Sequence, residues 1–183
     1  MDTKIKLHDR YFKVMIPADK IDEAVASTAA KLNNDYASCE RPPIFVSVLS
    51  GSFMFLADLT RKVEFTNEII FVKISSYSGT QSTGEVKQHL GIDFDIEGRD
   101  IIIVEDIVET GHSINHMVDY IKSRNPRSVE ICTLFFKPEK YLYPHIPVKY
   151  RALEIGNEFI VGYGLDYDQV GRSLKDIYVV TNE

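Results

Sequence analysis

The segment that most constrains the fold is a run of four aliphatic residues, 101–104, followed at once by two carboxylates, Glu105 and Asp106. Four consecutive branched aliphatic residues are typical of a strand buried on both faces, as in the parallel sheet of an α/β protein. A turn that contains Thr110 and Gly111 then leads into a stretch with helical spacing. The segment therefore predicts a strand, a turn and a helix, with the two acids at the end of the buried strand.

Short apolar runs alternate with helical patterns along most of the chain, which predicts an α/β fold with a mostly parallel central sheet flanked by helices. Strands are expected at 44–49, 68–74, 101–104 and 128–136. Apolar residues recur with helical spacing in 21–32, 53–60 and 114–121, and the first of these helices is expected to follow Pro17, with Asp19 as a candidate N-cap. The last third is expected to give shorter strands and loops.

Composition favours one folded domain over residues 1–183, because 44% of the residues are hydrophobic and no biased tract interrupts them. The net charge of −6 argues against a protein that binds nucleic acid or an anionic membrane through bulk charge. The N-terminus lacks the apolar region of a signal peptide, and no run approaches the length of a membrane helix. Two cysteines outside any CxxC pair favour a reduced, cytoplasmic location.

The turn at 109–113 has the features of a phosphate site. Ligands of open α/β sheets bind beyond the carboxyl ends of the strands, where helix N-termini present N–H groups. Gly111 allows close approach of the backbone, and the hydroxyls of Thr110 and Ser113 can donate. Carboxylates beside a phosphate are repulsive unless they face sugar hydroxyls or Mg²⁺. A phosphorylated ribose that carries a diphosphate meets both demands, whereas an idle acidic rim would be costly beside a buried strand.

Residues 101–113 resemble the phosphoribosyl-pyrophosphate (PRPP) binding motif of type I phosphoribosyltransferases: a hydrophobic strand, two acids, two aliphatic residues and a Thr-Gly turn. Four further segments, in the order of the family, resemble the hypoxanthine-guanine branch. They are the pyrophosphate loop at 49–59, the mobile catalytic loop with Ser76 and Tyr77 followed by 81–84, the purine site with Lys137 and 159–167, and Arg172 beyond it. The resemblance implies the fold of that family, with a hood lobe built from the N-terminal segment and the C-terminal third.

The implied reaction transfers 5-phosphoribosyl from PRPP to N9 of hypoxanthine or guanine, with Mg²⁺ as cofactor, and gives IMP or GMP and pyrophosphate in purine salvage. A xanthine-preferring enzyme and a PRPP-sensing regulatory protein of the same fold stay open as alternatives. The family also implies a homodimer or homotetramer. Side chains alone do not distinguish hypoxanthine from guanine, because backbone carbonyls usually read the 2-amino group.

The resemblance assigns roles to individual residues around PRPP. Glu105 and Asp106 would hold the ribose hydroxyls and magnesium, and Asp166 would contribute to a second magnesium site. The 5′-phosphate would lie against Thr110, Gly111, His112 and Ser113, and pyrophosphate against Ser50, Gly51 and Arg172. Ser50 stands where the family often has Lys or Arg, which predicts weaker binding of pyrophosphate.

The same resemblance assigns the purine site. Lys137 would donate to O6 and so select 6-oxopurines over adenine, whose amino group cannot accept that bond. Phe159 would stack on the base, and the backbone at Ile160 and near Asp166 would read the remaining edge. Glu109 stands where the family usually has Asp as general base near N7, so the carboxylate is kept with one more methylene.

Overall fold

Five parallel strands form the central sheet in the computed structural model, which describes residues 4–73 and 95–182. All four strand pairs in this sheet are parallel. Across the sheet the strands are β4 (Glu68–Lys73), β3 (Ile44–Leu49), β5 (Asp100–Val108), β6 (Ser128–Phe136) and β7 (Tyr150–Glu154). The aliphatic residues at 101–104 are wholly buried in the middle strand, as their unbroken apolar run predicts.

Helices cover both faces of this sheet. The helices α1 (Ala18–Tyr36) and α2 (Phe53–Thr60) pack on one face, and α3 (His112–Lys122) packs on the other. The apolar stripes predicted in α1 and α3 are buried, whereas α2 buries Phe55, Leu56 and Leu59 and exposes Phe53 and Ala57, which share the predicted helical spacing with Leu56. The sheet therefore lies between two hydrophobic layers. Within the described ranges, none of these helices combines the length and the hydropathy that crossing a bilayer requires.

A second, antiparallel sheet is built from both ends of the chain, which confirms the small lobe predicted above. Its strands are β1 (Ile5–Leu7), β2 (Arg10–Ile16), β9 (Ile177–Thr181) and β8 (Ile160–Val161), in that order across the sheet. Phe12, Val161 and Tyr178 form its own small core. This hood positions the segment that follows β8 beside the carboxyl edge of the central sheet.

Two local predictions were wrong. The strand β5 does not end at Val104 but continues through both acids to Val108, because the ladder with β6 extends to Val108 opposite Phe136. Asp19 does not cap α1, whose N-cap is Pro17. The first helical N–H group, that of Ala18, instead donates to Asp176 Oδ1 at 2.8 Å, so a distant residue supplies the cap. The last residue expected in β4, Ile74, lies outside the described residues.

Candidate active site

The carboxyl edge of the sheet carries a cavity of about 270 Å³ at the start of α3. The cavity is lined by Glu105 and residues 107–114. Among the described residues no side chain caps the helix at Gly111, so the N–H groups of the first turn can bind an anion. Gly111 has φ +83°, and an added Cβ would collide with the ring of Tyr141. Thr110, His112 and Ser113 are exposed around this turn, where the sequence predicts the 5′-phosphate.

Glu105 and Asp106 are consecutive in β5, and successive side chains of a strand point to opposite faces. Glu105 is buried and lines the cavity, where burial raises its pKa well above the ordinary value and the charge of Asp106 raises it further. Asp106 faces the loop after β3, since a Cβ at Gly51 would collide with its carboxylate. Burial raises the pKa of Asp106 to about 6, although the Ile107 N–H and the Arg172 guanidinium oppose the rise.

The loop after β3 meets the hood segment after β8. The Leu49–Ser50 peptide is cis, Ser50 is exposed and Gly51 is buried. A Cβ at Gly164 would collide with the Gly51 carbonyl oxygen, so the lack of a side chain at Gly164 allows the hood to touch the loop.

Arg172 lies in the hood beside this contact. Its Nη2 is 2.6 Å from Asp166 Oδ1, and its Nη1 donates to the Gly164 carbonyl at 2.7 Å. The charge of Arg172 lowers the pKa of Asp106, and the charge of Asp166 raises it. Asp106, Asp166 and Arg172 therefore lie on one side of β5. Glu105 lies apart from them, on the phosphate side.

Glu109 and Lys137 leave the sheet side by side, because the last paired residues of their strands are Val108 and Phe136. Lys137 is only 2% exposed, and its Nζ lies 2.6 Å from Glu109 Oε1 and donates to the Glu158 carbonyl at 2.9 Å. Burial raises the pKa of Glu109, but the ammonium groups of Lys137 and Lys140 outweigh it and hold the pKa below its ordinary value. The carboxylate is therefore charged at neutral pH.

An exposed aromatic ring follows directly after the carbonyl that Lys137 binds. Phe159 is 40% exposed, although it directly precedes the buried strand β8. Tyr167 packs edge-on to it at 5.6 Å between ring centroids, and the Arg10 guanidinium lies 5.8 Å from its centroid. Ile160 is buried as the first residue of β8. The ring is thus supported by the hood and keeps surface for a planar ligand.

The fit of this site to Mg²⁺ rests on its carboxylates. In residues 4–73 and 95–182, no group of three or more acids, histidines or cysteines could hold a metal by itself. Mg²⁺ is usually bound through one or two carboxylates together with substrate phosphates and water, rather than in an all-protein cage. Asp106 beside Asp166 matches that pattern, so the residues fit a magnesium ion that arrives with a phosphorylated substrate.

One residue that the sequence did not predict, Lys140, contacts Glu109. Ser76 and Tyr77 lie outside the described residues. Lys140, which was not predicted, lies 3.2 Å from Glu109 Oε2 through its Nζ. Pro138 begins a 3₁₀ helix over Pro138–Lys140, and this turn brings Lys140 to Glu109. Proline after Lys137 was the available signal, since it is favoured at the first position of a helical turn.

Known proteins resemble this chain over most of its length. The sequence profile of the family described as "Phosphoribosyl transferase domain" matches residues 17–168. Hypoxanthine phosphoribosyltransferase of Escherichia coli K12 is 39% identical over 166 residues, which are 90% of this chain and 93% of that protein. Hypoxanthine-guanine phosphoribosyltransferase of Streptococcus agalactiae serotype V is 42% identical over 172 residues, covering 93% and 94%.

A solved structure agrees in fold. The crystal structure of a hypoxanthine-guanine phosphoribosyltransferase from Bacillus anthracis superposes with a TM-score of 0.84 and 32% sequence identity. The superposition covers 98% of this chain and 99% of that one. The arrangement of parallel sheet and hood is therefore the type I phosphoribosyltransferase fold.

Proposed function

The chain belongs to the phosphoribosyltransferase family, and from that premise we propose that it transfers 5-phosphoribosyl from PRPP to N9 of hypoxanthine, and of guanine. Relatives about 40% identical over nine-tenths of the chain carry that activity in their names. The products are IMP or GMP and pyrophosphate, which makes the protein an enzyme of purine salvage.

The observation that carries the choice of base is the contact between Lys137 and Glu109. A 6-oxopurine presents the acceptor O6 next to N7, which bears a proton in one tautomer. Lys137 supplies a donor and Glu109 supplies an acceptor 2.6 Å away, so the pair complements that edge. Adenine would place its amino donor against the ammonium group and leave both buried donors unpaired.

The chemistry follows from these positions. N9 of the purine forms a bond with C1 of the ribose, while the C1–O bond to pyrophosphate breaks and its electron pair leaves with the pyrophosphate. The proton on N7 passes to Glu109, whose charged carboxylate is the general base. Phe159 orients the base by stacking, and Lys137 fixes its O6.

The remaining residues hold PRPP. The uncapped start of α3 and the hydroxyls of Thr110 and Ser113 would bind the 5′-phosphate. Glu105 and Asp106 would accept from the ribose hydroxyls, and Gly51, Ser50 and Arg172 would bind the pyrophosphate. Asp106 and Asp166 would hold Mg²⁺, which when bound offsets the negative charge of the leaving pyrophosphate, whereas Glu105 points to the opposite face of β5 and lies apart from them.

The direct test is release of pyrophosphate from PRPP in the presence of Mg²⁺ with hypoxanthine, guanine, xanthine or adenine as acceptor. We expect release with hypoxanthine and guanine and at least about 100-fold lower kcat/KM with adenine. A preference for xanthine would contradict the choice of acceptor. Binding of PRPP with no release for any base would instead support a regulatory protein and refute the enzyme.

Assembly and location stay predictions. The family resemblance predicts a homodimer or homotetramer, which sedimentation at micromolar concentration would test. The cysteine usage predicts a cytoplasmic protein.

A further inference from the structure

Four consecutive residues after β6 each contact one of four consecutive residues after β5. The Lys140 Nζ lies 3.2 Å from Glu109 Oε2, and the Leu142 N–H donates to the Thr110 carbonyl at 3.1 Å. The Tyr141 ring lies against the Cα of Gly111. The Tyr143 hydroxyl is 2.5 Å from His112 Nδ1. We call residues 140–143 the brace.

The brace is itself anchored to the core. The Tyr141 ring packs edge-on to Phe136 at 5.2 Å between centroids, and its hydroxyl donates to the Ile146 carbonyl at 2.7 Å. The Ile146 N–H returns to the Tyr143 carbonyl at 2.9 Å, and Ile146 is buried. These bonds restrict the brace independently of any ligand, so it can impose a conformation on the turn it contacts.

We propose that Lys140 and Tyr143 of the brace are positioning residues: Lys140 orients the Glu109 carboxylate for the purine, and Tyr143 orients His112 toward the 5′-phosphate. This inference rests on the proposed function. It adds two residues that the family motifs quoted above do not include.

Lys140 acts on a carboxylate that, in the part of the chain that the structure describes, is otherwise held at one oxygen. Lys137 binds Glu109 Oε1, and Lys137 must also donate to the substrate. Glutamate has one more rotatable bond than aspartate, so a single contact leaves more conformations open. The second contact, from Lys140 Nζ to Oε2, restricts the plane of the carboxylate and keeps it oriented while Lys137 donates to the purine.

Tyr143 acts on an exposed imidazole at the mouth of the phosphate cavity. His112 lines that cavity as the first residue of α3. When the Tyr143 hydroxyl donates to Nδ1, the neutral ring carries its proton on Nε2. The contact therefore both holds the ring and leaves it an N–H donor for a phosphate oxygen.

The test separates kcat from KM in variants of the two residues. Lys140→Met should lower kcat about tenfold and change the KM for PRPP less than about twofold. Lys140→Arg, which keeps the charge and the donor, should recover most of the loss. Tyr143→Phe should raise the KM and the Kd for PRPP about fivefold and leave kcat nearly unchanged, as expected for one lost hydrogen bond.

Matched controls lie away from the candidate site. Lys149 and Tyr150 both contact Asp35 Oδ2, at 3.0 and 2.7 Å, so Lys149→Met and Tyr150→Phe remove the same kinds of contact elsewhere. Both should leave kcat and KM unchanged. Comparing Tm across all variants shows whether a loss reflects unfolding, and the direct Kd for PRPP is then measured on folded protein.

A double variant tests whether Lys140 acts through Glu109. In Glu109→Gln protein, the additional Lys140→Met change should alter the residual kcat less than about twofold. The proposal is overturned if Lys140→Met and Tyr143→Phe change kcat and KM in the same way, or change neither, or if the double variant shows the full additive loss. Those results require active wild-type protein; an inactive wild type would refute the proposed function and the brace together.

Discussion

Lys137 is among the most buried charged residues described, and its ammonium nitrogen lies 2.6 Å from Glu109 Oε1. A second N–H donates to the Glu158 carbonyl at 2.9 Å, so two of the three ammonium donors are used by the protein. Within residues 4–73 and 95–182 the third has no partner, so it can serve a ligand. The proposed recognition of a 6-oxopurine would therefore rest on a donor and an acceptor that are already paired before the base arrives, with the Lys137 ammonium group buried and the Glu109 carboxylate partly exposed.

Replacing Lys137 by Ala should raise the KM for hypoxanthine at least about tenfold, because the donor to O6 is lost. The KM for PRPP should change much less, since Lys137 lies on the purine side of Glu109. Initial rates with each substrate varied in turn measure both constants. Lys149→Ala is the control, and equal losses for the two substrates would remove Lys137 from the purine site.

The pH dependence of kcat should respond to Lys140. Lys137 and Lys140 keep the pKa of Glu109 below its ordinary value despite burial, so the free base form persists into mild acid. Removing one cation raises the pKa of a carboxylate, so protonation of Glu109 should begin at higher pH in Lys140→Met. The acidic limb of the profile should therefore move to higher pH than in wild type, and an unmoved or lower limb would contradict this reading.

The lowered pKa of Glu109 also predicts how the stability of the fold depends on pH. A carboxyl group whose pKa is lower in the folded state stabilises the fold above its unfolded pKa and loses that contribution as pH falls through the folded value. Lys140→Met should therefore destabilise the ligand-free protein at pH 7, and the difference from wild type should shrink toward pH 3. Thermal unfolding across that range measures it. A difference that grows on acidification would be inconsistent with the ion pair.

Gly51→Ala should impair the enzyme, because the added Cβ would collide with the Asp106 carboxylate. Either the loop or Asp106 must move, and both belong to the predicted pyrophosphate side. We expect kcat/KM for PRPP to fall about tenfold or more. Gly156→Ala is the control, since that exposed glycine would meet only the flexible end of Glu158. Equal kinetics in the two variants would show that close approach at Gly51 is not needed.

Ser50→Lys should strengthen binding of pyrophosphate, because Ser50 is exposed beside Gly51 and a cation there would face the anion. The inhibition constant of pyrophosphate against PRPP should fall several-fold at low ionic strength and less in high salt. Ser27→Lys, on the exposed face of α1, is the control, because it adds the same charge far from the candidate site. Unchanged inhibition would refute a role for charge at position 50.

Strands β3 to β6 and the three helices could be predicted, because the unbroken apolar run of β5 and the helical spacing in α3 are both signs of burial. The bounds of β1, β2 and β7 to β9 were not predicted. The contact between Glu109 and Lys137 could not be predicted. It depends on the register that sets Val108 opposite Phe136, a relation between residues 28 positions apart that no local pattern encodes. The resemblance to a family suggested both residues, but only the register explains why they meet.

The brace was missed for a related reason. Its residues lie in the connection between β6 and the parallel strand β7. That connection contains one short 3₁₀ helix, and its sequence has no amphipathic period. The end of β5 was misplaced because two acids normally end a buried strand, whereas here Glu105 is buried next to a ligand cavity. The buried acid that departs from the usual pattern, Glu105, therefore lies at the candidate active site.

The most direct measurement of the central claim is kcat for hypoxanthine and Kd for PRPP in one preparation of Glu109→Gln, beside wild type. Glutamine keeps the size of the side chain but cannot take the proton from N7, so kcat should fall at least about 100-fold while the Kd for PRPP stays within about twofold. Wild-type turnover in that variant would show that Glu109 is not the base.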